Sequence, residues 1–86
     1  MAGEYFARTV TAPTSWKEIP LPGPASQLIL FASDADVEVQ VQTKRAGWGD
    51  SIFPYMLGPL YLFMEATAVR VKSTSGSGTF TIIAVY

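Results

Sequence analysis

The hydrophobic pattern is clearest at Val37-Glu38-Val39-Gln40-Val41-Gln42, where β-branched and polar residues alternate. A period of two sends successive side chains to opposite faces, as a strand with one buried face requires. The strand continues through Thr43 and Lys44, and Ser33-Asp34-Ala35-Asp36 before it has turn chemistry, because short acidic side chains bond their own backbone. Upstream, Gln27-Leu28-Ile29-Leu30-Phe31 is apolar at successive positions and is expected to pair with it as a hairpin. A run apolar on both faces predicts cover on both sides, by a second sheet and by a neighbouring subunit or the chain's own N-terminal arm.

Alternation returns at Ala68-Val69-Arg70-Val71-Lys72 and in the first part of Thr79 to Tyr86. Between them, Ser73-Thr74-Ser75-Gly76-Ser77-Gly78 supplies glycines free to take positive φ, which predicts a second hairpin. Leu60 to Met64 reads as a strand entered through Gly58-Pro59 from the segment Ser51 to Leu57. Pro54 lacks an amide proton and confines that segment to an edge strand or a loop. Glu4 to Thr11 and Ser15 to Leu21 are further strand candidates, separated by Pro13 and closed by a turn at Pro20-Leu21-Pro22-Gly23-Pro24. No segment repeats apolar residues at helical spacing. The expectation is an all-β chain, a single antiparallel β-sandwich or jelly roll of seven to eight short strands without significant helix. It forms one domain over residues 1–86, with residues 1–13 as a candidate extended N-terminal arm.

Composition sharpens this picture. A domain of 86 residues has a marginal core of its own, and with no cysteine and no histidine neither a disulfide nor a nitrogen- or sulfur-rich metal site supports it. Charged residues are 15% of the chain, below the usual share of about 25%, so charge cannot cover the surface and self-association is expected. The net charge of −1, with basic residues scattered, argues against nucleic acid and anionic lipid as partners. The most apolar stretch, Ile52 to Met64, is interrupted by Pro54, Gly58 and Pro59 and falls short of the about 20 residues of a membrane helix. Met1-Ala2-Gly3-Glu4 has no basic start leading into an apolar run, which predicts synthesis and use in the cytoplasm.

Candidate chemistry is sparse. Without histidine or cysteine, catalysis would need a carboxylate pair, a lysine or a serine activated by lysine, and none is spaced to suggest it. Gly76-Ser77-Gly78 lacks the glycine spacing of a nucleophile elbow and reads as a turn. Asp34-x-Asp36-x-Glu38 opens like an EF-hand loop, but Val39 stands where that loop needs glycine and Arg45 where it needs glutamate. The expectation is no enzyme, no cofactor and no metal.

The segment from Lys44 to Tyr55 sets Trp48 between two glycines and follows it with Phe53 and Tyr55. Such a tryptophan is either an anchor for a partner's pocket or a lid folded back on the sandwich. Lys44, Arg45, Trp48, Asp50, Phe53 and Tyr55 are therefore the candidate partner interface. The rings could equally be offered to a sugar, with Asp50 bonding its hydroxyls, or to unpaired bases beside Lys44 and Arg45. Ile29, Phe31, Ile83 and Tyr86 are the candidate oligomer interface, with a trimer expected. Trp16 and Ile19 are expected to cover one end of the core.

The order of features resembles small β-sandwich structural proteins of tailed bacteriophage virions, of the capsid decoration and head accessory type. The resemblance rests on Thr14-Ser15-Trp16-Lys17-Glu18-Ile19-Pro20-Leu21-Pro22, the Val37 to Val41 strand, Leu57-Gly58-Pro59-Leu60, and Val69-Arg70-Val71-Lys72-Ser73 through Gly76-Ser77-Gly78-Thr79 to the closing aliphatic strand. It implies a non-enzymatic protein present in many copies, often trimeric, that binds a major capsid or other virion protein and stabilises the shell after assembly in the host cytoplasm. A small glycan-binding module and a tail or head-fibre adaptor are the alternatives.

Overall fold

The computed structural model describes residues 4–63 and 65–86, with the backbone alone described at Leu57. Among the described residues eight strands follow the chain: β1 (Tyr5–Ala12), β2 (Lys17–Ala25), β3 (Gln27–Ala32), β4 (Val37–Thr43), β5 (Gly47–Trp48), β6 (Leu60–Leu62), β7 (Ala66–Ser73) and β8 (Gly78–Val85). A single helical turn, α1 (Pro54–Leu57), lies between β5 and β6. The strands form two four-stranded antiparallel sheets, ordered β1-β8-β3-β6 (sheet A) and β2-β7-β4-β5 (sheet B). Each strand of the first half pairs with its mirror position in the second: β1 with β8, β2 with β7, β3 with β6, β4 with β5. This is one long hairpin wrapped on itself so that β3 also meets β8 and β4 also meets β7, the jelly-roll order.

The alternation read in the sequence decides which side chains enter the core. Leu28, Leu30, Phe80, Ile82 and Ala84 from sheet A meet Ile19, Val37, Val39, Val41, Val69 and Val71 from sheet B, all buried in one cluster. β4 carries the pattern most cleanly, with Val37, Val39 and Val41 inward and Glu38, Gln40 and Gln42 outward.

Both expected hairpins are corrected. β3 and β4 lie in different sheets, as do β7 and β8, because the turns at 33–36 and 74–77 carry the chain across the sandwich. Those two crossings are stitched to each other at one end of the molecule. The Asp36 carboxylate accepts from Thr74 Oγ1 (3.0 Å) and from the Ser75 amide (2.9 Å), while Ser33 Oγ accepts from the Thr79 amide (2.9 Å). Turn chemistry tells where a chain reverses, whereas the sheet that receives the next strand is set by distant partners. Ser73 fastens the same end: it is buried, and its hydroxyl donates to the Ala12 carbonyl (2.8 Å). Gly78 opens β8 where a Cβ would come 2.5 Å from Val37 Cγ2, so the two crossings can pass this closely only at glycine.

Three further expectations are decided or changed. Of the edge strand or loop expected at residues 51–57 the structure has the non-strand alternative: Ile52 makes a single bridge to Val39, and Pro54 starts α1, the position a helix tolerates because its missing amide proton has no intrahelical partner there. The prolines at 20, 22 and 24 do not turn the chain, since their fixed φ fits extended backbone, and they lie within edge strand β2 across a register shift. Of the residues read as an arm, 5–12 are laid into sheet A as β1 along their whole length. Residues 1–3 and Met64 of the expected Leu60–Met64 strand lie outside the described residues.

Candidate functional site

The loop from Lys44 to Tyr55 does not form one patch. Lys44 and Arg45 are exposed in the turn after β4, closed by the Ala46 amide donating to Thr43 Oγ1 (3.1 Å). Gly47, at φ 71, then reverses the chain so that Trp48 lies opposite Gln42 on β5. Gln42 faces outward, so Trp48 lies on the outer face of sheet B. Asp50 is exposed at the rim of a cleft of about 280 Å3 at the β5–β6 side of the sandwich, floored by Val41, Ile52 and Leu62. Phe53 and Tyr55 are exposed around α1, at 41% and 50%, and Met56 beside them in the chain is exposed at 73%.

Trp48 is half-buried, and what covers it was not expected from the sequence. The Arg70 guanidinium lies 4.4 Å from the Trp48 ring centroid and 4.7 Å from that of Trp16, so one cation stacks on both tryptophans. Lys72 Nζ adds a second cation over Trp16 at 4.5 Å. Trp16 therefore belongs to the outer face of sheet B rather than to the end of the core, while Ile19 is buried as expected. Arg70 is held from below by Gln40, whose Oε1 accepts from Arg70 Nε (2.9 Å) and from its terminal nitrogen. Gln40 Nε2 donates to Ser51 Oγ (3.0 Å), and Ser51 donates to Glu38. The chain Glu38–Ser51–Gln40–Arg70 links β4, the loop after β5 and β7. Its sequence signal was the parity of β7, which puts Arg70 and Lys72 on the face opposite Val69 and Val71; the two stacking partners come from distant segments and carried no such signal.

The outer face of sheet A is built differently. By the same parity it presents Tyr5, Ala7, Thr9 and Thr11 from β1; Thr79, Thr81, Ile83 and Val85 from β8; Gln27, Ile29 and Phe31 from β3; and Tyr61 from β6. None of these is a lysine, arginine, aspartate or glutamate. Ile83 lies between Ala7 and Ile29, Ile29 faces Tyr61, and Thr9 and Thr81 share a hydroxyl hydrogen bond of 2.9 Å. Phe31 is 39% and Tyr61 52% exposed. The structure thus brings together Ile29, Phe31 and Ile83. Tyr86 is separated from them: three residues beyond Ile83, it points to the opposite side and packs against the core cluster. The expected cover over Ile29 and Phe31 by residues 5–12 is absent, because these lie beside β8 in the same sheet.

The acidity of Asp36 clearly departs from the ordinary carboxylate value. The Ser75 amide and the Thr74 hydroxyl stabilise its carboxylate and hold its pKa below 3.8. It is a structural tie between crossings. No group of three or more potential metal ligands exists among the described residues. No protein-family model, curated protein or solved structure matches this chain.

Proposed function

We propose that this chain is a non-enzymatic structural protein of a virus particle, a capsid decoration protein that binds and stabilises an assembled shell. The observation that carries the reading is the outer face of sheet A, an uncharged surface spanning four strands with isoleucine, phenylalanine and tyrosine at its centre. Burying charge on another protein is costly, so a face without it suits a broad protein contact. The jelly-roll order supports the reading by analogy, since that architecture recurs in viral shells, although a fold alone hosts many functions. Charge content and the resemblance of the strand and turn pattern point the same way.

Co-sedimentation with particles stripped of this protein tests the reading. Ile83→Lys places a charge at the centre of the sheet A face and is expected to weaken attachment about thirtyfold, equivalent to about 2 kcal/mol. Trp48→Ala, on the opposite sheet, is expected to leave attachment unchanged. Binding of a folded Ile83→Lys variant at the wild-type level sinks the assignment of the face. The rival reading is a glycan-binding module on sheet B, favoured by Trp16 and Trp48 on one surface beside Glu38 and Gln40. A sugar stacking there has to compete with Arg70 for both rings. A clear hit on a glycan array, lost in Trp48→Ala, together with no binding to any shell, decides for it.

A further inference from the structure

The four sheet edges are not equivalent. β5 and β6 are two and three residues long, too short to template another strand. β2 is long, but prolines at 20, 22 and 24 remove amide donors. Pro20 in particular faces away from β7. The Val39 amide donates to the Ile52 carbonyl, so odd residues of β4 point away from β7; parity carried across the ladder then turns Glu18 and Pro20 to the free edge. β2 is blunted in the way natural edges commonly are. β1 has none of these protections: it is eight residues long, contains no proline and carries one charge, Arg8.

The direction of its backbone groups follows from one bond. The Tyr86 amide donates to the Glu4 carbonyl (2.9 Å), which makes the even residues of β1 the ones bonded to β8. The amides and carbonyls of Tyr5, Ala7, Thr9 and Thr11 therefore point out of the sheet, and among the described residues none of them has a partner. Their side chains are exposed and belong to the uncharged outer face.

We propose that β1 pairs antiparallel with β1 of a second copy, joining two A sheets into one continuous sheet across a two-fold axis at Ala7. The axis position follows from the partner it gives Arg8. Centring on Arg8 sets two guanidinium groups face to face, whereas centring on Ala7 sets Arg8 opposite Phe6 of the other chain. Arg8 already lies 5.4 Å from the centroid of its own Phe6 ring, so this pair is of the right reach and chemistry. Tyr5 then faces Thr9, and the exposed amides and carbonyls bond reciprocally, as an isologous contact requires. Two identical edges pairing antiparallel make a dimer, in place of the trimer expected from the sequence. The pairing uses the edge of sheet A and leaves its outer face open, so it is independent of what that face binds.

Cysteine scanning and light scattering test the proposal. The chain contains no cysteine, so a single introduced thiol reports alone. Opposed residues in a bonded antiparallel pair have Cα atoms about 5.5 Å apart, within disulfide range. Under mild oxidation Ala7→Cys is expected to give a reductant-sensitive dimer rapidly, and Thr11→Cys is not. Wild-type protein at micromolar concentration is expected to have twice the 9.3 kDa chain mass. Thr9→Pro, which removes a free-edge amide from both copies at a position type that β2 shows the fold accepts, is expected to raise the dimer dissociation constant at least about tenfold. A monomer or trimer at that concentration, equal cross-linking at both positions, or a dimer indifferent to a folded Thr9→Pro overturns the proposal; should Thr9→Pro fail to fold, the cysteine pair decides.

Discussion

The two outer faces of this sandwich are made by the same alternation and end up chemically opposite. Sheet A presents threonine, isoleucine, tyrosine and phenylalanine with no charge, while sheet B presents Glu18, Glu38, Arg70 and Lys72 under two tryptophans. The sheet B face satisfies itself: Arg70 is stacked on both rings and bonded to Gln40, and Gln40 is bonded onward to Ser51. The sheet A face has little to satisfy beyond the Thr9–Thr81 bond, and its apolar centre is left to solvent. A tryptophan in a glycine-flanked loop was the obvious candidate for a binding anchor, yet it belongs to the finished face. The unfinished surface is the one with the less conspicuous residues.

The largest expected effect lies in the layer both faces rest on. Phe80→Ala removes a fully buried ring between the sheets and is expected to cost about 3–5 kcal/mol. Phe31→Ala, on the sheet A face of the neighbouring strand, is expected to cost under about 1 kcal/mol. Urea denaturation of the two variants checks the contrast; equal losses would mean that the outer face of sheet A is packed after all.

Next comes the point where the two sheets are joined. Gly78→Ala forces a methyl against the buried Val37 side chain and is expected to cost about 1–3 kcal/mol by overpacking. Gly23→Ala, whose nearest neighbour stands at 3.9 Å, is the control, and calorimetry on both variants separates crowding from a general effect of losing glycine.

A smaller effect separates the faces themselves. Arg70→Met keeps the bulk but removes the cation from both rings and leaves Gln40 Oε1 without its donor, an expected loss of about 1–2 kcal/mol with a change in tryptophan fluorescence. Ile83→Lys, which adds a charge to sheet A instead of removing one from sheet B, is expected to cost less than Arg70→Met and to leave that fluorescence unchanged. The reverse order would break the distinction between a self-satisfied face and an open one.

The smallest effect concerns acid. The folded state holds the Asp36 carboxyl below its ordinary pKa, so its contribution to stability is fully present above about pH 5 and is lost as pH falls through the lowered folded value. Asp36→Asn is therefore expected to flatten the dependence of the urea midpoint on pH in the acid range and to leave its shape near neutrality unaltered. An acid limb as steep as in wild type would assign that dependence to another carboxylate.

Strand positions were legible because period two is a local property. Val37 to Val41, Val69 to Val71 and Phe80 to Ile82 alternate on their own account, and each is buried as its pattern demands. The same parity, applied to Ile29, Phe31 and Ile83, put them on one outer face, and it also explains why Tyr86 does not join them. Trp48 was legible as unusual but not as placed, because its partner Arg70 is supplied by a strand more than twenty residues away.

From the sequence by itself, then, came the all-β class without significant helix, the buried side of the alternating strands, and a surface too poor in charge to be well covered by it. These depend on residue chemistry and on spacing within a few residues. The tertiary structure alone decided that β3 and β4, and β7 and β8, part into different sheets, that Arg70 gathers Trp16 and Trp48, and that β1 is an unprotected edge. Each of those is a pairing between segments far apart in the chain, selected by which strand's backbone groups and apolar face are still free when the two meet, and no local pattern records that.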